Sequence, residues 1–168
     1  HEVTEGLMGD GNEQSVKKKT ILLVDDEPDI VETVEYVLQR EGYEVLTATD
    51  GYAALGVARV HKPDLLLLDV MLPGENGYRV SRAVRDDEEL GVYPRRVPIV
   101  LVTARDLSLD PEREKMFMEF SRADLVIYKP FDLDEMLNLI QRLLKNAEKQ
   151  AETRNDRTDQ PEIQDPTV

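Results

Sequence analysis

Five polar residues that could act together each follow a short apolar run. Asp25 and Asp26 come after Ile-Leu-Leu-Val, Asp69 after four leucines, Thr103 after Ile-Val-Leu-Val and Lys129 after Leu-Val-Ile-Tyr. Carboxylates without histidine or cysteine favour a hard cation such as Mg²⁺, Mn²⁺ or Ca²⁺, and a small site of this kind fits Mg²⁺ best. A cation, a lysine and a hydroxyl around one carboxylate are suited to transferring a phosphoryl group onto that carboxylate.

These residues can meet only if the apolar runs are strands of one sheet. Each run is continuous, as expected for a strand that is buried on both faces. Segments with helical spacing separate the runs, for example Ile30, Val34 and Leu38 between the first two. With Val45–Ala48 as a further strand, five alternations of strand and helix predict an α/β fold with a doubly wound, five-stranded parallel sheet. The ligand site of such a sheet lies beyond the carboxyl ends of its strands.

Two helix starts carry capping signals. Asp110-Pro111 combines an N-cap residue with proline at the first helical position. Asp132 is followed three residues later by Glu135, which is an aspartate version of the capping box. We therefore predict helices that begin at these two positions.

The chain has 168 residues and a formal net charge of −14. Its composition predicts a flexible lead-in at 1–19, a folded domain at 20–145 and a flexible acidic tail at 146–168. The tail leaves no room for an output domain, so we expect a stand-alone domain; the alternative is a domain cut from a longer protein. An acidic surface argues against nucleic acid and anionic membranes as partners.

Cysteine is absent from the sequence. That absence excludes disulfides and thiolate chemistry, and it agrees with a reducing compartment. The longest apolar runs are far shorter than the roughly 20 residues that span a bilayer. We expect a cytoplasmic protein.

Four stretches of the chain resemble the receiver domain of bacterial two-component response regulators. They are the segments Ile21–Glu27, Asp69–Gly77, Val102–Ala104 and Lys129–Phe131. The resemblance covers residues 20–145 and implies a flavodoxin-like (βα)5 fold with strand order 2-1-3-4-5.

The resemblance implies a role for each site residue. Asp69 would accept a phosphoryl group, and Mg²⁺ (or Mn²⁺) would be held by Asp25, Asp26, Asp69 and the backbone carbonyl of Met71. Lys129 would bind a phosphate oxygen. Thr103 and the backbone N–H of Ala104 would contact the phosphoryl group, and Pro130 would follow a cis peptide bond that positions the lysine.

The chain departs from the family pattern in three places. Val126 stands three residues before the lysine, where the family usually has Tyr or Phe, and strand alternation places Tyr128 on the face opposite Ile127. Arg122-Ala123 replaces the usual Gly-Ala. Residues 86–98 and 105–111 are predicted to be longer connections than a minimal receiver needs.

The resemblance implies a phosphorylation-controlled switch of protein–protein contacts and not an enzyme acting on other substrates. Its partners would be a sensor histidine kinase or phosphotransfer protein and a downstream protein target, with the receiver a monomer or a weak, phosphorylation-linked dimer. One alternative is a pseudo-receiver that binds partners without phosphate. A haloacid-dehalogenase-like phosphatase is disfavoured because no Asp-x-Asp follows a strand, and a dinucleotide enzyme because no Gly-x-Gly-x-x-Gly does.

Overall fold

The computed structural model describes residues 17–104 and 110–158, with side chains described as far as Thr153. Strands and helices alternate strictly along these residues. The strands are β1 (Thr20–Val24), β2 (Glu44–Ala48), β3 (Leu65–Asp69), β4 (Ile99–Ala104) and β5 (Leu125–Lys129). The helices are α1 (Pro28–Arg40), α2 (Gly51–His61), α3 (Gly77–Glu89), α4 (Pro111–Ser121) and α5 (Leu133–Thr158).

The five strands form one parallel sheet in the order β2-β1-β3-β4-β5. The predicted α/β fold and its strand order are confirmed. Because β1 and β3 are neighbours, with Val24 opposite Leu68, the residues that follow or end them lie side by side. Every strand points its carboxyl end to the same edge, which brings the predicted site residues to that edge.

Two apolar layers cover the sheet, and β3 shows how they are divided. Leu66 and Leu68 pack on the layer that includes α2 and α3. Leu65 and Leu67 pack on the opposite layer, which is formed by α1 and α5. Successive side chains of a strand point to opposite faces, so an uninterrupted run of leucines is what a sheet covered on both faces requires.

The predicted helix starts at residues 110 and 132 are confirmed. A side-chain oxygen of Asp110 accepts a hydrogen bond from the N–H of Glu112 at 3.1 Å. Asp132 accepts from the N–H groups of Asp134 and Glu135 at 2.8 and 3.2 Å. Each cap satisfies N–H groups that have no partner inside the first helical turn.

The last helix extends beyond the predicted boundary at 145 and reaches Thr158. Ala147 and Ala151, which are half-buried, follow Leu144 at helical spacing, and Glu148 pairs with Lys19 at 3.1 Å. The helix therefore continues into the segment predicted as a flexible tail, while the domain boundaries at 19 and 145 stay predictions. Residues 1–16 and 159–168 of the predicted lead-in and tail lie outside the described residues.

The predicted connection at 86–98 is shorter in the structure, because α3 continues to Glu89. Of the second predicted connection, residues 105–109 lie outside the described part of the chain, and α4 begins at Pro111. Among the described helices, none combines the length and apolar character needed to cross a lipid bilayer.

Candidate functional site

Two buried carboxylates lie next to each other at the carboxyl edge of the sheet. Asp25 follows β1 and Asp69 ends β3, with only 2% and 3% of their surfaces exposed. Each carboxylate is held by a backbone N–H two residues later, from Glu27 to Asp25 at 2.9 Å and from Met71 to Asp69 at 3.2 Å. The chain turns directly after each aspartate, and these turns keep both carboxylates at the edge of the sheet.

Lys129, the last residue of β5, reaches both carboxylates. Its Nζ lies 3.1 Å from Oδ2 of Asp25 and 3.1 Å from Oδ2 of Asp69. It also lies 3.3 Å from Oε1 of the exposed Glu27. One cation thus compensates three acidic groups, and at short range this leaves the site with an excess of negative charge.

Burial and charge shift the ionisation of this cluster in opposing ways. Burial raises the pKa of Asp69 above its ordinary value, the hydrogen bond from Lys129 opposes that increase, and the charge of Asp25 adds to it. Burial by itself lowers the pKa of Lys129, but its hydrogen bonds to Asp69 and Asp25 outweigh burial and raise the pKa above its ordinary value. Lys129 is therefore cationic, and it lies beside the Asp69 carboxylate, whose charged form is disfavoured by burial.

The start of α3 packs closely behind Asp69. The N–H of Gly77 donates to the carbonyl of Val70 at 2.9 Å. A Cβ atom at position 77 would overlap the backbone carbonyl of Asp69. Glycine is required at this position because the backbones approach too closely for any side chain.

Thr103 lies near the end of β4, beside the strand that carries Asp69. The two strands are in register, with Asp69 opposite Val102. The Thr103 side chain is buried, and its hydroxyl donates to the carbonyl of Ala104 at 3.3 Å, while Ala104 itself is exposed. Both residues are at the same sheet edge as Asp69, in the positions that the sequence predicts.

The carboxylates offer a set of oxygen ligands suited to a hard divalent cation. One oxygen from each of Asp25, Glu27 and Asp69 lies within 4.8 Å of the others. These donors fit Mg²⁺, which prefers oxygen and needs few protein ligands because it keeps several waters. Asp26 is exposed and lies outside this cluster. The assignment of Asp26 and the Met71 carbonyl as ligands stays a prediction.

Glu27 was not among the predicted site residues. It follows the Asp-Asp pair directly and ends the matched stretch Ile21–Glu27, and these were the signals for it in the sequence. Of the further residues at the site, Met71 is 72% exposed, and the peptide bond between Lys129 and Pro130 is cis, as the family resemblance implied.

Val126 and Tyr128 occupy β5 beside the lysine. Ile127 packs on the layer formed by α1 and α5, and Val126 packs on the opposite layer. The hydroxyl of Tyr128 donates to a carboxylate oxygen of Glu114 on α4, which places Tyr128 on the face opposite Ile127, as predicted. The aromatic side chain at this end of β5 therefore lies beside α4, one residue before Lys129.

The fold and these strand-end residues define a class of signalling domain. Residues 21–141 match the family model for the response regulator receiver domain, and the chain belongs to that family.

Relatives and solved structures that resemble the chain agree with this family. The chain is 37% identical over 146 residues to the alkaline phosphatase synthesis transcriptional regulatory protein PhoP of Bacillus subtilis, covering 87% of this chain and 57% of PhoP. It is 38% identical to the DNA-binding response regulator MtrA of Mycolicibacterium smegmatis, covering 80% of this chain and 55% of MtrA. A CheY-like receiver domain from Methanospirillum hungatei superposes with a TM-score of 0.68 at 26% identity, covering 79% and 98% of the two chains.

The chain spans about half the length of the two curated relatives. Their names describe transcriptional regulation and DNA binding, and those properties belong to the whole relatives. The expectations of a stand-alone domain and of no nucleic-acid partner therefore stay predictions.

Proposed function

We propose that this protein accepts a phosphoryl group on Asp69 from a sensor histidine kinase or a phosphotransfer protein. The observation that carries the proposal is the buried triad in which Lys129 contacts both Asp69 and Asp25 at the carboxyl edge of the sheet. A structural ion pair needs only one carboxylate, whereas a lysine beside two buried carboxylates supports chemistry on one of them.

The transfer uses residues already in place. A carboxylate oxygen of Asp69 attacks the phosphorus, the new P–O bond forms, and the bond to the donor's histidine nitrogen breaks with its electron pair left on that nitrogen. Lys129 moves from compensating the carboxylate to binding an oxygen of the transferred group. Mg²⁺ held by Asp25 and Asp69, together with Asp26, Glu27 or the Met71 carbonyl, would neutralise charge on the phosphoryl oxygens.

Thr103 and the backbone N–H of Ala104 are proposed to bind the transferred group from the β4 side. The Thr103 hydroxyl is held only weakly by a carbonyl at 3.3 Å, so it can turn toward an incoming phosphoryl oxygen. A shift of Thr103 alters the surface beside β4 and β5. We propose that this altered surface changes contacts with a downstream protein in the cytoplasm, and that the domain acts on no substrate beyond its own phosphoryl group.

The test is intact-protein mass after incubation with acetyl phosphate and Mg²⁺. Wild type should gain one phosphoryl group, and Asp69→Asn should gain none. Asp29→Asn, which removes an exposed carboxylate in the first turn of α1, is the matched control and should be labelled like wild type. Labelling of Asp69→Asn to the wild-type extent would reject Asp69 as the acceptor.

A second candidate is a pseudo-receiver that contacts partners without phosphate. The observation that favours it is Val126, an aliphatic side chain where the family usually has an aromatic one that follows the threonine. A folded wild-type protein that gains no phosphoryl group under these conditions would support this candidate over the first.

A further inference from the structure

A cavity of about 410 Å³ lies at the edge of the sheet opposite Asp69. Its walls come from the amino ends of the strands, with Lys19 preceding β1, Asp64 preceding β3 and Val97 preceding β4. Ala147 and Ala151 of α5 close one side. None of the residues at the phosphoacceptor edge lines this cavity, so it is a separate feature of the fold.

The rim of the cavity is cationic although the protein is strongly acidic. Four basic residues line it against two acidic ones, Asp64 and Glu148; the basic residues are Lys19, Lys62, Arg95 and Arg96. The chain as a whole carries a formal net charge of −14. A local reversal of sign on such a surface attracts acidic groups.

Two of the rim cations are paired within the fold, Lys19 with Glu148 at 3.1 Å and Arg96 with Asp124 at 2.6 Å, and the other two are less compensated. Within the described part of the chain, the closest carboxylate oxygen to Arg95 belongs to Asp64 and lies 3.7 Å away, and Asp64 also accepts the backbone N–H of Thr20. Lys62 donates to the carbonyl of Arg59 and lies 5.5 Å from the Tyr93 ring centroid, and among the described residues no carboxylate is within ion-pair distance of it. Lys62 and Arg95 are exposed and have room for a further anionic partner.

The floor of the cavity is apolar. Tyr93, Val97 and Leu144 are buried there, and the half-buried Ala147 and Ala151 add small side chains on the α5 wall. A cationic rim around an apolar floor suits a peptide segment that carries acidic residues on either side of an aliphatic one.

We propose that the cavity is an intramolecular docking site for residues 159–168 of this chain, Asp-Gln-Pro-Glu-Ile-Gln-Asp-Pro-Thr-Val. The segment carries three carboxylates and no lysine or arginine, and Ile163 lies between Glu162 and Asp165. Its charge complements the rim, and its isoleucine matches the floor. Docking of this segment in the cavity does not depend on phosphoryl transfer to Asp69.

Chain connectivity favours this occupant over a separate molecule. Helix α5 forms one wall at Ala151 and ends at Thr158, about 10 Å further along its axis. Ten extended residues reach roughly 33 Å, enough to return that distance and enter the cavity. A tethered segment has an effective concentration on the order of millimolar, so even weak contacts hold it.

Paramagnetic relaxation in the full chain tests the proposal. Because the sequence has no cysteine, Gln164→Cys gives a single attachment point for a nitroxide. Backbone amides of Lys62, Arg95 and Ala147 should lose most of their signal intensity, while those of Asp25 and Asp69 should keep theirs. Undiminished signals around the cavity would overturn the proposal.

Charge-reversal variants identify the contacts that hold the segment. Lys62→Glu combined with Arg95→Glu should restore the cavity signals, and Arg79→Glu, which reverses an exposed arginine on α3, should leave them broadened. Equal broadening in the double variant would overturn the docking site. In a mixture of spin-labelled unenriched chain and unlabelled ¹⁵N chain, broadening would identify a second copy as the occupant and also overturn the proposal.

Discussion

Nζ of Lys129 lies 3.1 Å from Oδ2 of Asp69 and equally close to the carboxylate of Asp25 on the neighbouring strand. The lysine compensates two buried charges that would otherwise repel each other across adjacent strands. It is the last residue of β5, two strands away from β3 in the sheet. The stability of this edge and the chemistry of the phosphoacceptor therefore depend on the same contact.

Replacing Lys129 by methionine should destabilise the fold and slow labelling by acetyl phosphate. Removing one partner of a buried ion pair leaves an uncompensated charge and costs about 3 kcal/mol. Mg²⁺ should recover part of that loss, because a divalent cation can compensate the same carboxylates. Urea unfolding with and without Mg²⁺ measures both effects.

Lys115→Met on the exposed surface of α4 is the matched control, and it should change the free energy of unfolding by no more than about 0.5 kcal/mol. A Lys129→Met protein as stable as wild type without Mg²⁺ would contradict the role assigned to the triad.

Arg85 should be the most important charged residue for stability away from the site. Its side chain is 1% exposed, and it donates to carboxylates of Glu88 and Asp124 and to the carbonyls of Val97 and Arg122. Arg85→Leu removes the side-chain donor to two carbonyls and one partner each of Glu88 and Asp124, and it should cost about 3–5 kcal/mol in the free energy of unfolding. Chemical denaturation followed by circular dichroism measures this loss.

A lysine at position 85 should rescue only part of the stability, because one ammonium cannot reproduce the planar fork of a guanidinium. Arg82→Leu, three residues earlier on the same helix, removes an exposed pair with Asp86 and should have an effect of less than about 1 kcal/mol. If Arg82→Leu and Arg85→Leu lower the free energy of unfolding equally, the buried hydrogen bonds of Arg85 contribute no more to stability than the exposed pair of Arg82.

The strand ends were predictable from sequence because each apolar run stops at a polar residue. The runs before Asp25, Asp69 and Lys129 identify buried parallel strands, and parallel strands must bring their carboxyl ends to one edge. The sequence could not show how far side chains reach from that edge. Both Asp26 and Glu27 are exposed, but only Glu27 joins the cluster, through its side-chain conformation, and the Asp-Asp-Glu run does not distinguish them.

Arg85 and the end of α5 were missed for a different reason. An arginine on a helix normally faces solvent, and Arg85 is buried because Glu88, Asp124 and two carbonyls from separate segments converge on it. The polar sequence after residue 145 is typical of a tail, yet it stays helical beside Lys19. The burial of Arg85 depends on contacts between residues far apart in sequence, which local patterns do not encode. The helix after residue 145 instead agrees with the helix propensity of its Ala, Glu, Lys, Gln and Arg residues.

Gly77→Ala should impair both stability and phosphorylation. The added Cβ would overlap the carbonyl of Asp69, so the start of α3 or the end of β3 must move. Overpacking of this kind costs about 1–3 kcal/mol, and displacement of Asp69 should reduce labelling by acetyl phosphate. Urea unfolding and intact mass measure the two effects on one sample.

Gly56→Ala provides the matched control for the glycine prediction. Gly56 lies inside α2, and apart from its chain neighbours and the backbone of its own helix no described atom lies within 4 Å of where its Cβ would be. Alanine there should stabilise the helix by roughly 0.5–1 kcal/mol and leave labelling unchanged. If Gly77→Ala behaves like Gly56→Ala, the close approach of α3 to Asp69 is not needed for the site.

Tyr93→Phe should stabilise the protein at neutral pH. The Tyr93 side chain is buried, and its hydroxyl has no hydrogen-bond partner among the described residues. A buried polar group without a partner costs about 1–3 kcal/mol, so removing the hydroxyl should raise the free energy of unfolding by about 1 kcal/mol. Loss of stability in Tyr93→Phe at pH 7 would show that the hydroxyl is satisfied in solution.

The benefit of Tyr93→Phe should grow in alkaline solution. Burial, assisted by the charge of Asp87, raises the pKa of Tyr93 from 10.0 to about 12. Between pH 10 and 12 the Tyr93 hydroxyl is ionised in the unfolded chain but stays protonated in the folded protein. The stability linked to this group is therefore complete below pH 10 and is lost as the pH rises toward 12. At pH near 11.5, wild type should have lost about 2 kcal/mol more than Tyr93→Phe. Urea unfolding of both proteins from pH 8 to 11.5 measures this difference, and parallel stability curves would contradict the raised pKa.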